Sequence, residues 1–574
     1  MMHRQSKRWK LREPISEVCS QELAEFPPFF RQVLSARGVS SLIEAYRYLD
    51  ATVDSDNPLA LKGMSESIDR LVFAIKHQEK IVVYGDYDVD GVTATALMVQ
   101  LIERLGGQVS PYIPNRFDEG YGLNNDAVEM LAGQGVQLLL TVDCGIRSPL
   151  EAERAAQLGL DLIISDHHQP GEALPEAAYA IICQHQPGDD YPDKYLSGVG
   201  LAYKIAQALV KRFPEQGVQA EDWLDLVALG TVSDVVPLKG ENRSLVRRGL
   251  NLMRQARRPG IVSLANVARI NLFQVGAGDI GFMLGPRLNA AGRLESARDA
   301  LDLLLCGDSA AAAPLAQRLD NRNRERQDLT RKMQEEAMLM AQQEGAADIV
   351  FAFDPDFNEG VVGLSAARLV EAYYRPAIVG RIGPETTRAS CRSIPEFHIT
   401  RALDTCRDLL IRHGGHALAA GFTVRTADLP ELKKRLAEIA RVELSGRDLC
   451  PVLWADQEIP LHKLRPEHVA SLFTRLEQLQ PTGQENPEAV FISRKLRVLK
   501  PNTRLVGNEG QHLKLRLMTE SNTTYDAIAF RQGHMRDSLG EQVDLMYVFE
   551  RNEYNGQVSL QLNVRDLKPS GQPD

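Results

Sequence analysis

The sequence predicts an α/β protein in several parts: a domain on a mostly parallel sheet, a long connecting helix, a smaller second α/β unit and a C-terminal β-barrel. Three observations carry that expectation. From Leu61 to about Arg258, short apolar runs alternate with helix-patterned segments, as in a parallel sheet with helices on both faces. The tract Ala310 to Gln343, rich in Ala, Arg, Gln, Glu, Leu and Met, reads as one helix bridging two domains. Beyond Pro451 the pattern changes to short strands separated by turn residues, which suggests a small barrel with an OB-fold as first choice. At 574 residues the chain exceeds what one hydrophobic core can organise.

In chain order, residues 1–60 read as an N-terminal helical extension broken by Pro14, Pro27 and Pro28, with no assignable chemistry. The first α/β domain, 61–260, opens with helix Ser65 to Lys76. Ile81 to Tyr84, β-branched and aromatic without alternation, is a buried strand. It is followed by helix Val92 to Leu105, strand Val109 to Ile113 and helix Asn124 to Gly133. Strand Leu138 to Val142, helix Pro149 to Leu158, strand Leu160 to Ser165 and helix Gly200 to Phe213 complete the alternation. Leu226 to Ser233, apolar and interrupted by Gly230, reads as one more strand-like run. Residues 261–345 form a linker and the long helix, and Pro314 argues that its regular part starts nearer Ala313. The second unit, 346–448, opens with the strand run Asp348 to Phe353, helix Val361 to Tyr374 and strand Ala377 to Arg381. Barrel strands are expected in 449–574 at Val490 to Leu499, His512 to Met518, Thr524 to Phe530, Val543 to Phe549 and Val558 to Val564.

The chemistry concentrates where these runs end. Asp86, Asp88 and Asp90 follow the first strand at every second position, Asp143 follows the next, Asp166-His167-His168 the third, and Asp234 the run after that. Carboxylates at the carboxyl edge of an open α/β sheet stand where such sheets bind ligands. Gathering several of them is costly unless a cation neutralises them. The plain alternative is that each Asp caps the following helix, but two adjacent histidines cap nothing. Oxygen ligands mixed with imidazole suit Mn²⁺ or Mg²⁺, with Zn²⁺ possible.

Other readings fall away. Asp86-x-Asp88-x-Asp90-Gly91 opens like an EF-hand loop, but that loop needs a Glu where Leu97 stands, and a strand precedes it. Gly276-Ala-Gly278-Asp-Ile-Gly281 matches a dinucleotide fingerprint without the strand–helix frame such a site requires. No apolar run is long enough to cross a bilayer. The basic start, His3 to Arg8, leads into no signal core. Seven scattered cysteines without a CxxC pair fit reduced thiols and a cytoplasmic setting. The net charge of -10 speaks against nucleic acid at first sight. Metal-site carboxylates inflate that figure, however, and the basic residues are unevenly placed.

GDYDVDG, VDCG, SDHH and TVSDV, in order and spacing, resemble the DHH phosphoesterase superfamily. PNRFDEGYGL, GPRLNAAGR and GGHALAAG resemble, within it, the RecJ family of single-strand-specific 5′→3′ exonucleases. The resemblance covers nearly the whole chain and implies a DHH domain, a DHHA1-like second domain and a C-terminal OB-fold. It implies Asp86, Asp88, Asp143, His167 and Asp234 as metal ligands, with His168 in the same catalytic site, holding one or two ions. Many superfamily members carry a His where Val82 stands here, which leaves occupancy of a second metal position open. Asp90 matches no general ligand position, so a supporting role is expected.

The resemblance further implies that Arg116, Ser390, Arg392 and one of Arg287 and Arg293 grip a 5′-phosphate, a group that guanidinium forks suit. His416, inside GGHALAAG, would reach the scissile phosphate. In the barrel, Arg494, Lys495, Arg497, Lys500, Arg504, Lys514 and Arg516, with Phe491, Tyr525 and Phe530 nearby, look like a basic groove with stacking rings for single-stranded DNA. The expected reaction is in-line hydrolysis of phosphodiesters to 5′-mononucleotides, in DNA repair and recombination. The alternative is a phosphodiesterase for short oligonucleotides or cyclic dinucleotides, whose members usually lack the OB-like domain. A single-strand-binding protein and a RecQ-type helicase are the partners the family implies, and a monomer without membrane contact is expected.

Overall fold

The computed structural model describes residues 7–51, 56–115, 119, 122–294, 296–345, 347–464, 466–554 and 557–572. Its first domain is built on a five-stranded, all-parallel sheet in the order Gln108–Tyr112, Lys80–Gly85, Leu138–Val142, Asp161–Ser165, Ala180–Ile182. Successive strand residues serve opposite faces. Ile81, Val83, Leu138, Leu140 and Ile163 pack under the helices Met64–Lys76, Val89–Arg104 and Gly198–Val210. Val82, Tyr84, Leu139, Leu162 and Ile164 pack on the other side, under Asn125–Gly133 and Pro149–Gln157. After Lys80–Gly85 the chain places its next strand on one side and then crosses to the other, so Lys80–Gly85 and Leu138–Val142 border a topological switch point. Asp86 and Asp143 follow those two strands.

The run ending at Asp234 corrects the expectation of a strand: Leu224–Ser233 is an α-helix. It is apolar all round because it is buried against Val89–Arg104 and Gly240–Met253, and periodicity cannot tell such a helix from a buried strand. The connecting helix runs Ser309–Glu344. Asp308 caps it by accepting from the Ala311 N–H at 2.8 Å, so it begins a turn before Ala313 and contains Pro314. Gly276–Gly281 lies in a run of short helical turns with no strand before it, which disposes of the dinucleotide reading.

The second unit has a sheet in the order Leu410–Gly415, Ala419–Arg425, Thr386–Arg392, Ala377–Ile382, Val350–Asp354, parallel only in its last pair. In the C-terminal domain, Phe491–Val498 pairs with Gln542–Tyr554, which pairs with Gln557–Pro569. Gln557–Pro569 runs parallel to Thr524–Ala529, which pairs with His512–Met518. Arg497↔Met518 and Val498↔Leu517 bring the last strand back to the first, giving the OB strand order.

The N-terminal segment is not a separate helical extension. Arg8–Leu11 is a strand paired with Val452–Ala455. Phe26, Phe30, Val33 and Leu34 share a core with Phe491, Leu515 and Tyr547, as the amphipathic helix Pro28–Ser35 buries its apolar face against the barrel. Residues 7–51 therefore belong physically with the C-terminal domain. Among the described residues no helix is long and apolar enough to cross a membrane, and all seven cysteines are free thiols.

Candidate metal centre

Asp86 leaves the sheet edge buried, and Gly91 faces its backbone so closely that a Cβ there would lie 2.6 Å from the Asp86 nitrogen. Asp88 is the N-cap of Val89–Arg104: one carboxylate oxygen accepts from the Asp90 and Gly91 N–H groups at 2.8 and 3.2 Å. Capping and ligation are thus compatible on one side chain, since the cap uses only one oxygen. Asp86, Asp88 and Asp143 each bring an oxygen within 4.8 Å of the others.

Asp143 sits at φ 64, a left-handed conformation that Asp tolerates better than most residues, and this turns its carboxylate back over the strand ends. Gly198, at the start of the neighbouring helix, makes room: a Cβ there would be 2.6 Å from that of Asp143. His167 Nε2 stands 3.2 Å from Asp143 Oδ1, 3.5 Å from Asp234 Oδ2 and 3.9 Å from Asp90 Oδ2. The structure therefore gathers Asp86, Asp88, Asp143, His167 and Asp234 at one place, as the sequence motifs implied. Asp234 reaches it from the C-terminal end of a helix. Val82 packs in the apolar layer and offers the site nothing.

Burial first, then the surrounding carboxylates, pushes the Asp143 carboxyl well above its ordinary range and that of Asp234 up to about 9. Burial, then His168, lowers His167 to about 3, so its ring is neutral, the form in which imidazole binds a metal. Asp143 Oδ1 and His167 Nε2 are buried and make no hydrogen bond. Buried polar atoms are rarely left so. Orphaned polar atoms, crowded anions and a neutral imidazole all fit a divalent cation, and the oxygen-rich set fits Mn²⁺ or Mg²⁺.

Two neighbours support the cage. Asp166 accepts from Ile146 N–H at 2.9 Å and His168 N–H at 3.1 Å, and holds His168 Nδ1 at 2.8 Å. Burial lowers the His168 pKa, but the bond and charge of Asp166 outweigh it, and the net shift is upward. His168 lies 3.9 Å from Asp143 through Nδ1, with its side chain 40% exposed. Sequence reasoning gave Asp166 no role of its own; the signal that could have found it was its place directly before two histidines. Asp90 accepts from Gly198 and Val199 N–H groups at 2.6 and 2.9 Å, tying Gly198–Val210 to the site, and burial followed by Asp88 raises it to about 7. Asp90 also brings an oxygen within 4.8 Å of His167 and Asp234, so the geometry allows it both a supporting and a ligating place.

The phosphate-binding candidates are placed unevenly. Arg392 donates to Ser390 Oγ at 3.2 Å and to the Cys391 carbonyl at 2.8 Å, and makes no ion pair among the described residues. It faces the first turn of helix Val362–Tyr373, where a Cβ on Gly363 would lie 2.9 Å from its Nη2. An unpaired guanidinium, a hydroxyl and a helix N-terminus are all anion-binding groups. Arg287 is instead committed to Asp320 at 2.9 Å and the Met283 carbonyl at 2.7 Å. Arg116 and the Arg293 side chain lie outside the described residues. His416 is exposed in the turn between Leu410–Gly415 and Ala419–Arg425.

On the barrel, Lys495 and Arg497 are exposed, and Lys514 and Arg516 alternate with the core residues Leu513, Leu515 and Leu517. Arg494 is paired with Glu458 at 3.0 Å and Asp544 at 3.4 Å, so acidic competition is present there. Phe491 and Tyr525 prove to be core residues, because their strand positions point inward; Phe530 is 49% exposed.

A parallel sheet with this Asp/His cage at its switch point defines a DHH-type domain, and residues 80–231 match the DHH family, N-terminal domain. Residues 455–566 match the RecJ OB domain. Over 97% of this chain and 98% of the relative, the sequence is 37% identical to the single-stranded-DNA-specific exonuclease RecJ of Dickeya dadantii. The fold is similar to that of RecJ from Thermus thermophilus in complex with Mn²⁺, with a TM-score of 0.84, 30% identity, and coverage of 99% of this chain and 80% of that one. For the same protein in complex with Mg²⁺ the TM-score is 0.78, with 29% identity and coverage of 99% and 79%. The chain belongs to the RecJ family.

Proposed function

We propose that this chain is a single-stranded-DNA-specific exonuclease that hydrolyses phosphodiesters from the 5′ end to 5′-mononucleotides with Mn²⁺ or Mg²⁺. The observation that carries the reading is the convergence of Asp86, Asp88, Asp143, His167 and Asp234 on one buried cage. These residues would hold the ion. When bound, it supplies positive charge for the phosphodiester and for an attacking water.

The chain's own groups do the rest. Asp166 fixes His168 through Nδ1, which leaves Nε2 to donate to a phosphate oxygen while the ring is protonated. Arg392 and Ser390, beside a helix N-terminus, are suited to a terminal phosphate, whose extra charge an internal phosphodiester lacks. Gripping that group sets the polarity. Arg116, Arg293 and His416 belong to the same proposal. Lys495, Arg497, Lys514 and Arg516 would carry the strand across the barrel. A cytoplasmic monomer working with a single-strand-binding protein and a RecQ-type helicase, in repair and recombination, completes the family reading.

The test is a long strand labelled at either end and incubated with Mn²⁺. Mononucleotides released first from the 5′ end, with duplex spared, are expected. Release from the 3′ end, or equal attack on duplex, refutes the reading.

A further inference from the structure

Arg243, in helix Gly240–Met253, is 3% exposed and has no carboxylate partner among the described residues. Its guanidinium has five N–H groups, and every one meets a backbone carbonyl. Nε donates to Tyr48 at 3.0 Å, Nη1 to Leu479 and Pro481 at 2.9 and 3.0 Å, and Nη2 to Gln478 and Gln480 at 3.2 and 3.1 Å. All five acceptors lie across a domain boundary. Arg243 belongs to the core of the metal-bearing domain's helices, whereas helix Leu42–Asp50, which carries Tyr48, and the 478–481 turn pack with the C-terminal barrel.

The carbonyls at 478–480 follow the end of helix Pro466–Glu477, where unsatisfied C=O groups and the negative end of the helix dipole favour a cation. The Tyr48 ring lies 4.2 Å beneath the guanidinium. Tyr48 Oη donates to Asn486 Oδ1 at 2.7 Å, and Asn486 Nδ2 donates back to the carbonyls of Leu479 and Pro481. Around this knot the boundary also holds a bond from Arg247 to the Leu49 carbonyl, an exposed Lys239–Glu485 pair and a backbone bond from Leu238 to Gln484. A lysine could offer three donors and no plane, so only arginine matches this set.

We propose that Arg243 is a positioning residue that locks the barrel to the metal-bearing domain in one orientation, and thereby gives long strands their advantage over short ones. It rests on the reading of the barrel as the surface that carries the strand. A strand held on the barrel meets the metal cage as an intramolecular event, and its effective concentration there is highest when the spacing between the two is fixed at the span of the strand. Removing the guanidinium leaves both surfaces intact and frees the angle between them.

The experiment compares wild type with Arg243→Ala on two 5′-phosphorylated substrates with Mn²⁺: a strand of roughly 40 nucleotides, longer than the ~4–16 nucleotides one OB groove covers, and a trinucleotide. For the variant, KM on the long strand is expected to rise roughly tenfold, while kcat/KM on the trinucleotide stays at the wild-type value. Millimolar N-ethylguanidinium, which refills the vacated donor set, is expected to restore the long-strand KM. Should Arg243→Ala fail to fold, Asn486→Ser loosens the same carbonyls from the barrel side and is read in the same way. A folded variant that keeps the wild-type ratio between the two substrates overturns the lock and leaves the nuclease reading standing. A wild-type protein without preference for the long strand overturns both the lock and the reading of the barrel as the surface that carries the strand.

Discussion

Replacing Asp143 by Asn separates a cation cage from a set of helix caps. Asn keeps the size of Asp and also tolerates the left-handed backbone at φ 64, so backbone strain does not enter as it would for Ala. In the metal-free protein the Asp143 carboxylate crowds Asp86 and Asp88 at up to 4.8 Å, a repulsion of about 3 kcal/mol per charged pair at an effective dielectric of about 20. The protein escapes that cost by keeping the carboxyl protonated. Burial and the neighbouring carboxylates hold that carboxyl well above its ordinary range.

The sign follows from the direction of the shift. A carboxyl raised by folding contributes its full stability below 3.8 and loses it as pH rises toward the folded value. Asn carries neither charge nor proton, so metal-free Asp143→Asn is expected to melt about 3–8 °C above metal-free wild type near neutral pH, and level with it near pH 4. Saturating Mn²⁺ reverses the order, because an ion at a hundredfold its Kd stabilises wild type by about 2.7 kcal/mol and the variant by much less. Nuclease activity falls on the order of a thousandfold. The assay is a thermal melt in chelator and in Mn²⁺ across pH, beside turnover of a labelled strand. A metal-free variant that melts below wild type while keeping its activity refutes the reasoning.

Three further outcomes follow from the same geometry. Asp143 and Asp234 must give up protons to bind an ion, so apparent Mn²⁺ affinity is expected to rise between pH 6 and 9 by up to about tenfold per pH unit for each proton displaced; calorimetry in buffers of different ionisation enthalpy counts the protons, and a pH-independent affinity contradicts it. Asp166→Asn removes the carboxylate charge that helps to raise the His168 pKa, so the alkaline limb of the kcat profile, where His168 loses its proton, moves to lower pH; an unmoved limb contradicts the assignment. Arg392→Ala is expected to slow 5′-phosphorylated strands about tenfold or more while 5′-hydroxyl strands change little; an unchanged ratio places the phosphate elsewhere.

Much of the candidate site was legible because its residues sit next to strand ends, where apolar runs stop at an Asp and local pattern and tertiary position coincide. Asp86, Asp143 and His167 are of that kind. Asp234 was found by motif, but its frame was misjudged, since a helix buried on every side has no polar stripe to betray it. The Asp90 contact with Gly198 and Val199 joins residues far apart in the chain, and no local pattern announces it. The N-terminal segment was misread for a similar reason: strand Arg8–Leu11 acquires its partner only at Val452–Ala455, and four residues in isolation carry no pairing signal. On the barrel, counting basic residues missed that Arg494 is neutralised by Glu458 and Asp544, which composition cannot place beside it.

Crystals of this protein soaked in Mn²⁺ and measured at the manganese absorption edge test the central claim most directly. An anomalous peak is expected within coordination distance of Asp143 Oδ1 and His167 Nε2, with Asp86, Asp88 and Asp234 around it, and it is expected to vanish in Asp143→Asn. A protein that takes up manganese elsewhere, or shows no peak at the cage at saturating concentration, contradicts it.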